Sequence, residues 1–126
     1  QIIAHGVDIV VCARIARIWQ DHGDRFLERL YTPAERAYCL ECRTPLPRLA
    51  GRFAAKEAVL KVLGTGLRGG LEWTDIETLP DGLGKPVVTL HGAAGRAAAA
   101  LGITGVLMSI SHAGDYAVAS AIGIRA

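Results

Sequence analysis

Three residues of this chain have types and positions that could do chemistry together: Asp8, Glu57 and Lys61. Glu57 and Lys61 fall in Phe53-Ala54-Ala55-Lys56-Glu57-Ala58-Val59-Leu60-Lys61-Val62-Leu63-Gly64. That stretch predicts a helix with an apolar stripe at Phe53, Leu60 and Leu63, closed by Gly64 as a left-handed C-cap. The two charged residues then stand one turn apart on one face. They can neutralise each other as a helical ion pair, worth about 0.2–0.5 kcal/mol, or hold a phosphate together with its metal ion. Asp8 sits inside the apolar, β-branched run Ile2–Val11, where a carboxylate is costly unless it is paired or bound to a cation. A strand end or a bulge at Gly6 is the plainer account. Asp8 and Glu57 together would suit Mg2+, which takes one or two protein carboxylates and fills its remaining positions with water and phosphate oxygens. Lys61 would stand beside the same phosphate. His112, in Ser109-Ile110-Ser111-His112, is expected at a strand-to-turn junction, where it could donate to a phosphate or serve as a local hydrogen-bonding residue. His5, His22 and His91 lie in no motif.

These groups need elements to bring them together, and the patterning supplies a coarse set. Ile2 to Val11 predicts a buried strand. Cys12 to Gln20 predicts a helix with Ile15, Ile18 and Trp19 on one face and Arg14 and Arg17 on another. Gly23 breaks it, and Arg25 to Leu30 is a second short helical stretch. Thr32-Pro33-Ala34-Glu35 carries a capping box with Pro at the first helical position, opening a helix to about Cys42. Thr44 to Pro47 connects to a long helix from about Arg48 to Leu63. Gly64, Gly66, Gly69 and Gly70 mark a loop. Strands are expected at Trp73–Leu79 and Val87–Leu90 around the turn Asp81–Pro86. A helix at Ala93–Leu101 follows, then strands at Val106–Ser111 and Ala117–Ile124 around the turn His112–Asp115. The pattern is α+β: an N-terminal strand, a helical cluster and C-terminal hairpins.

Composition narrows the class. A chain of 126 residues without a low-complexity run reads as one domain, residues 1–126. The formal net charge of +2 is too small for general nucleic-acid binding. Arginines crowd the first half, from Arg14 to Arg52, and such a block can face an acidic partner, meet phosphates or form a solvated helical face. Three cysteines, an odd number, argue against a disulfide framework. Cys39 and Cys42 form a lone CxxC without the second ligand pair that a zinc site needs. No apolar stretch is long enough to span a bilayer, and no basic leader precedes an apolar run, so a soluble, cytoplasmic protein is expected.

The order of motifs carries more. Gly6-Val7-Asp8-Ile9-Val10 with Arg14-Ile15, then Arg52-Phe53-Ala54-Ala55-Lys56-Glu57-Ala58 with Lys61 and Gly64, resemble the two signatures of holo-acyl-carrier-protein synthases, the small bacterial class of 4'-phosphopantetheinyl transferases. Asp75-Ile76-Glu77, Gly84-Lys85-Pro86 and Ser109-Ile110-Ser111-His112 match in the same order, so the resemblance runs from about Ile3 to Ile122. Val62, where the family often has Ala, and the stretch Trp19–Asp24 depart from the pattern.

The resemblance implies a 4'-phosphopantetheinyl transferase-like fold, an antiparallel sheet with a helical cluster and one long central helix. It implies Mg2+-dependent transfer of the 4'-phosphopantetheine arm of coenzyme A to a serine of apo-acyl carrier protein, with release of adenosine 3',5'-bisphosphate. By that likeness Asp8 and Glu57 are metal ligands, Lys61 contacts the pyrophosphate, and Glu57 receives the serine proton directly or through water. Arg52 and His112 would meet the 3'-phosphate, with Gly64 and the turn Gly84-Lys85-Pro86 nearby. Arg14, Ile18, Arg25 and Arg29 would meet the acidic carrier. The family is trimeric, with sites between subunits. The competing readings are an inactive module that holds coenzyme A or a nucleotide, and a structural oligomer whose Glu57–Lys61 pair only decorates its surface.

Overall fold

A computed structural model describes residues 1–126. The first strand, β1 (Ile2–Val11), runs straight into α1 (Cys12–His22), and Gly23, at φ 62°, turns the chain into α2 (Asp24–Leu30). Next come α3 (Pro33–Leu40) and α4 (Leu46–Leu63). A 3-10 turn at Trp73–Asp75 leads to β2 (Ile76–Pro80) and β3 (Pro86–Leu90), and α5 (Gly92–Ala100), β4 (Gly105–Ala113) and β5 (Tyr116–Ile124) complete the chain. The strands form two antiparallel sheets, β1-β5-β4 and β2-β3. β1 therefore joins the C-terminal hairpin in one sheet. No helix is long and apolar enough to cross a membrane.

The two-residue period of the strands divides the larger sheet into unlike faces. Gly6, Asp8 and Val10 of β1 point inward with Ala117, Ala119, Ala121 and Gly123 of β5 and Met108 of β4. α4 lies across this face. The small inner residues of β5 let it come close: a Cβ on Gly123 would stand 2.9 Å from Val62 Cγ1. Thirteen of the eighteen α4 residues are buried, so the stripe read at Phe53, Leu60 and Leu63 is only part of a helix enclosed on most sides. The outward face of the same sheet carries Val7, Ile9, Val11, Leu107 and Tyr116, all exposed.

Several expected boundaries move, for local reasons. Trp73–Asp75 is a 3-10 turn, not the start of a strand. Asp75 directs its carboxylate to the backbone N–H groups of Glu72 (3.3 Å) and Ala94 (3.4 Å), and so draws this segment toward the start of α5. α4 begins two residues earlier than expected, with Pro47 in its first turn. β4 continues to Ala113, paired with Tyr116, so His112 lies within the strand and only Gly114 and Asp115 turn. The capping box at Thr32 and Glu35 and the left-handed C-cap at Gly64 (φ 73°) form as expected.

Candidate active site

Gly6 sets the distance between β1 and α4. A Cβ there would fall on the carbonyl oxygen of Ala58 and 2.9 Å from Lys61 Cβ. With no side chain in the way, strand meets helix and Asp8 reaches Lys61: Nζ stands 3.2 Å from Asp8 Oδ1 and donates to the Val7 carbonyl at 2.7 Å. The Glu57–Lys61 helical pair does not form; the ammonium is drawn across to β1 instead. Glu57 is half-buried. Burial pushes its carboxyl above the ordinary range, Asp8 pushes it further, and Lys61 and Arg14 oppose them. Asp8, Glu57, Lys61 and Arg14 thus share one electrostatic neighbourhood.

Two carboxylates close enough to repel, on a surface open to solvent, form a site that a divalent cation relieves. The donor set fits Mg2+. Both donors are hard oxygens, the ligand type that Mg2+ takes. Most coordination positions would be left to water and phosphate oxygens, as Mg2+ prefers.

Next to Glu57, Lys56 points the other way, into the core. Lys56 and Glu35 are fully buried and paired at 2.8 Å. Lys56 Nζ also donates to the carbonyls of Trp73 (3.1 Å) and Ile76. Glu35 accepts from the backbone of Thr32 and of Thr78, each at 3.0 Å. Burial lowers the Lys56 pKa and Glu35 counters the effect. The sequence reading gave Glu35 only its capping role and gave Lys56 none.

The residues expected at the nucleotide end lie elsewhere in the chain. Arg52 is buried, its guanidinium 4.5 Å from the centre of the Tyr38 ring and its Nε donating to the Thr78 carbonyl at 3.4 Å. His112 Nε2 donates to the Pro47 carbonyl at 2.8 Å, beside Gly51 near the start of α4, which leaves Nδ1 as its free polar atom. Gly84, Lys85 and Pro86 belong to the β2–β3 hairpin. Asp81 Oδ1 braces that tip by accepting the N–H groups of Leu83 (2.8 Å) and Lys85 (2.9 Å), and these bonds hold its carboxyl below the ordinary range. No hydrogen bond or ion pair joins His112 or this tip to Asp8, Glu57 or Lys61 within one chain. Gly64 closes the end of α4 that carries Lys61.

Of the residues expected to meet an acidic partner, Ile18, Arg25 and Arg29 line one groove of about 540 Å³ with Phe26, Phe53 and Trp73. Arg14 is not among the groove residues, and its charge acts on Glu57. Phe53 and Trp73 stack at 5.4 Å between ring centres. This aromatic wall is not apparent in the sequence, where Phe53 falls in the apolar stripe of its helix and Trp73 at the start of an expected strand.

Comparison with known proteins gives a consistent picture. The 4'-phosphopantetheinyl transferase superfamily is matched over residues 4–121. A holo-[acyl-carrier-protein] synthase of Koribacter versatilis is 48% identical over 121 residues, spanning 96% of this chain and 97% of that protein. The crystal structure of holo-[acyl-carrier-protein] synthase from Neisseria meningitidis superposes with a TM-score of 0.89 at 36% identity, covering 99% of this chain and all (100%) of that one. The Helicobacter pylori synthase, solved in complex with coenzyme A, gives a TM-score of 0.83 at 31% identity over 95% of this chain and 99% of that one.

Proposed function

The chain belongs to the 4'-phosphopantetheinyl transferase superfamily, among the holo-acyl-carrier-protein synthases, and we propose that residues 1–126 act as one Mg2+-dependent catalytic domain. It moves the 4'-phosphopantetheine arm of coenzyme A to a serine hydroxyl of apo-acyl carrier protein and releases adenosine 3',5'-bisphosphate. The observation that carries this reading is the convergence of Asp8, Glu57 and Lys61 across the β1–α4 contact.

Asp8 and Glu57 would hold Mg2+, which when bound neutralises charge on the diphosphate and its leaving oxygen. Lys61 sets a further positive charge on the same side, where attack on an anionic phosphorus needs neutralisation and alignment more than covalent help. The serine oxygen forms a bond to the phosphorus that bears the pantetheine arm. The bond from that phosphorus to the bridging oxygen breaks, and the electron pair leaves with the nucleotide. Glu57, directly or through water, takes the serine proton. Arg52, His112 and the Gly84–Pro86 tip would hold the 3'-phosphate and adenosine, with Gly64 near the diphosphate. The groove of Ile18, Arg25 and Arg29 would take the acidic carrier, with Arg14 facing it from the reacting end. The three cysteines are free thiols, as suits the reducing cytoplasm where we place the enzyme.

Incubation with apo-acyl carrier protein, coenzyme A and Mg2+, followed by intact-mass measurement, tests the activity. The carrier gains the mass of one phosphopantetheine group; an unchanged carrier rejects the reading.

The same proposal includes a homotrimer. The outward sheet face carries an apolar patch, with Ile9 62% and Val7 50% exposed, and such a patch marks a protein contact. Within one chain neither His112 nor the hairpin tip is bonded to the acidic pair, and a neighbouring subunit would complete each site. Ile9→Lys is expected to convert the trimer to monomer in light scattering and to abolish transfer. A variant that keeps both its parent's mass and its activity would remove this part.

A further inference from the structure

We infer that the buried Glu35–Lys56 pair is a positioning device for carrier recognition: it fixes the Trp73 wall of the groove to the helix that bears Glu57. This inference rests on the reading of the groove as the carrier site.

Lys56 spends all three ammonium protons on partners from other elements: Glu35 on α3, the Trp73 carbonyl in the 3-10 turn and the Ile76 carbonyl at the start of β2. Glu35 ties in β2 a second time through the Thr78 N–H. A buried ion pair is a poor source of stability compared with apolar side chains of equal volume. What it supplies here is direction, because each bond fixes one backbone group relative to α4. Trp73 follows a loop in which Gly64, Gly66, Gly69 and Gly70 adopt φ of 73°, 60°, 68° and 80° and are exposed.

One turn of α4 then carries three tasks. Phe53 stacks on the Trp73 ring and lines the groove with it. Lys56, three residues on, grips the Trp73 main chain. Glu57 follows at once and faces Asp8. A shift of the Trp73 segment would move the groove wall that the carrier meets, and leave the Asp8–Lys61 contact intact.

Lys56→Met alone would strand the Glu35 charge in the core and destabilise the protein whatever its role, so the informative variant is Glu35→Gln/Lys56→Met, which removes both charges. With a fatty-acid-type apo-acyl carrier protein as probe, the KM for carrier is expected to rise on the order of tenfold, the cost of one misplaced interface anchor. The KM for coenzyme A and kcat should stay within about twofold, since neither site nor metal ligand is touched. In a Trp19→Phe background, acrylamide should quench Trp73 fluorescence more strongly in the variant. In a Trp73→Ala background the pair substitution should add little to the carrier KM, because both changes act through one wall. A purely structural role predicts a lower melting temperature with equal KM ratios and an unchanged quench; that result overturns the inference. If the double variant does not fold, Lys56→Arg is read by the same three measurements. A wild-type protein that transfers nothing to carrier would overturn the functional reading, and the Trp73 quench would still report on the anchor.

Discussion

Asp8→Asn and Glu57→Gln each lower the rate of transfer by on the order of 10³-fold, the effect of removing several kcal/mol of charge stabilisation from a metal-assisted displacement. Neither substitution changes side-chain volume appreciably, and neither residue belongs to the core cluster, so both variants should fold. The parent should gain melting temperature when Mg2+ and coenzyme A are added together, and each variant should lose most of that gain. A pH effect separates loss of a metal ligand from general damage. The folded state raises the Glu57 pKa, through burial first and Asp8 second. Such a group contributes stability below its unfolded pKa and loses that contribution as pH rises through its folded value. Above its folded pKa the metal-free parent therefore carries an ionised Glu57 that weakens the fold. Glu57→Gln should melt above the parent in chelator at such pH, and the gap should close on acidification. Turnover of either variant near the parental rate would show that the two carboxylates do not hold the metal.

Much of this site was legible because its residues break the patterns around them. Asp8 stood out as a charge in an apolar strand, and Gly64 and the Thr32–Glu35 capping box carry local rules that act within a few residues. The partner of Lys61 was not legible. Its nearest charge in sequence is Glu57, one turn away, whereas Asp8 is 53 positions distant and reaches it only because Gly6 lets β1 settle on α4. Lys56 did carry a signal of the kind that marked Asp8. It lies three residues after Phe53 and four before Leu60, inside the apolar stripe, so it points to a buried cation in need of an anion. Glu35 gave no answering signal, since its capping role already accounted for it. The groove wall depends on Trp73 leaving the strand, and that follows from Asp75 turning toward α5, a contact between segments 19 positions apart.

Gly6→Ala tests the contact on which the catalytic geometry depends. The added Cβ would fall on the Ala58 carbonyl oxygen and 2.9 Å from Lys61 Cβ. The first obstacle is helix backbone, which cannot rotate aside as a side chain does, so β1 must move away from α4. Overpacking of this kind costs about 1–3 kcal/mol. The loss of activity should be larger than that figure suggests. Asp8 is two residues along the same strand face, and a displacement of about 1 Å in a positioned group can cost on the order of 10²-fold in rate. The expected variant is a folded protein with a modestly lower melting temperature, transfer reduced by about two orders of magnitude, and a weakened response to Mg2+. Gly123→Ala is the control. It meets the side chains of Ile103 and Val62 on the same inner sheet face, and no backbone atom is among its nearest contacts, so it should cost comparable stability with less displacement of β1 from α4 at Asp8. If the two variants lose activity in proportion to their stability, the Gly6 contact has no special part in placing the acids. If only Gly6→Ala loses activity out of proportion, the spacing of strand and helix sets the chemistry.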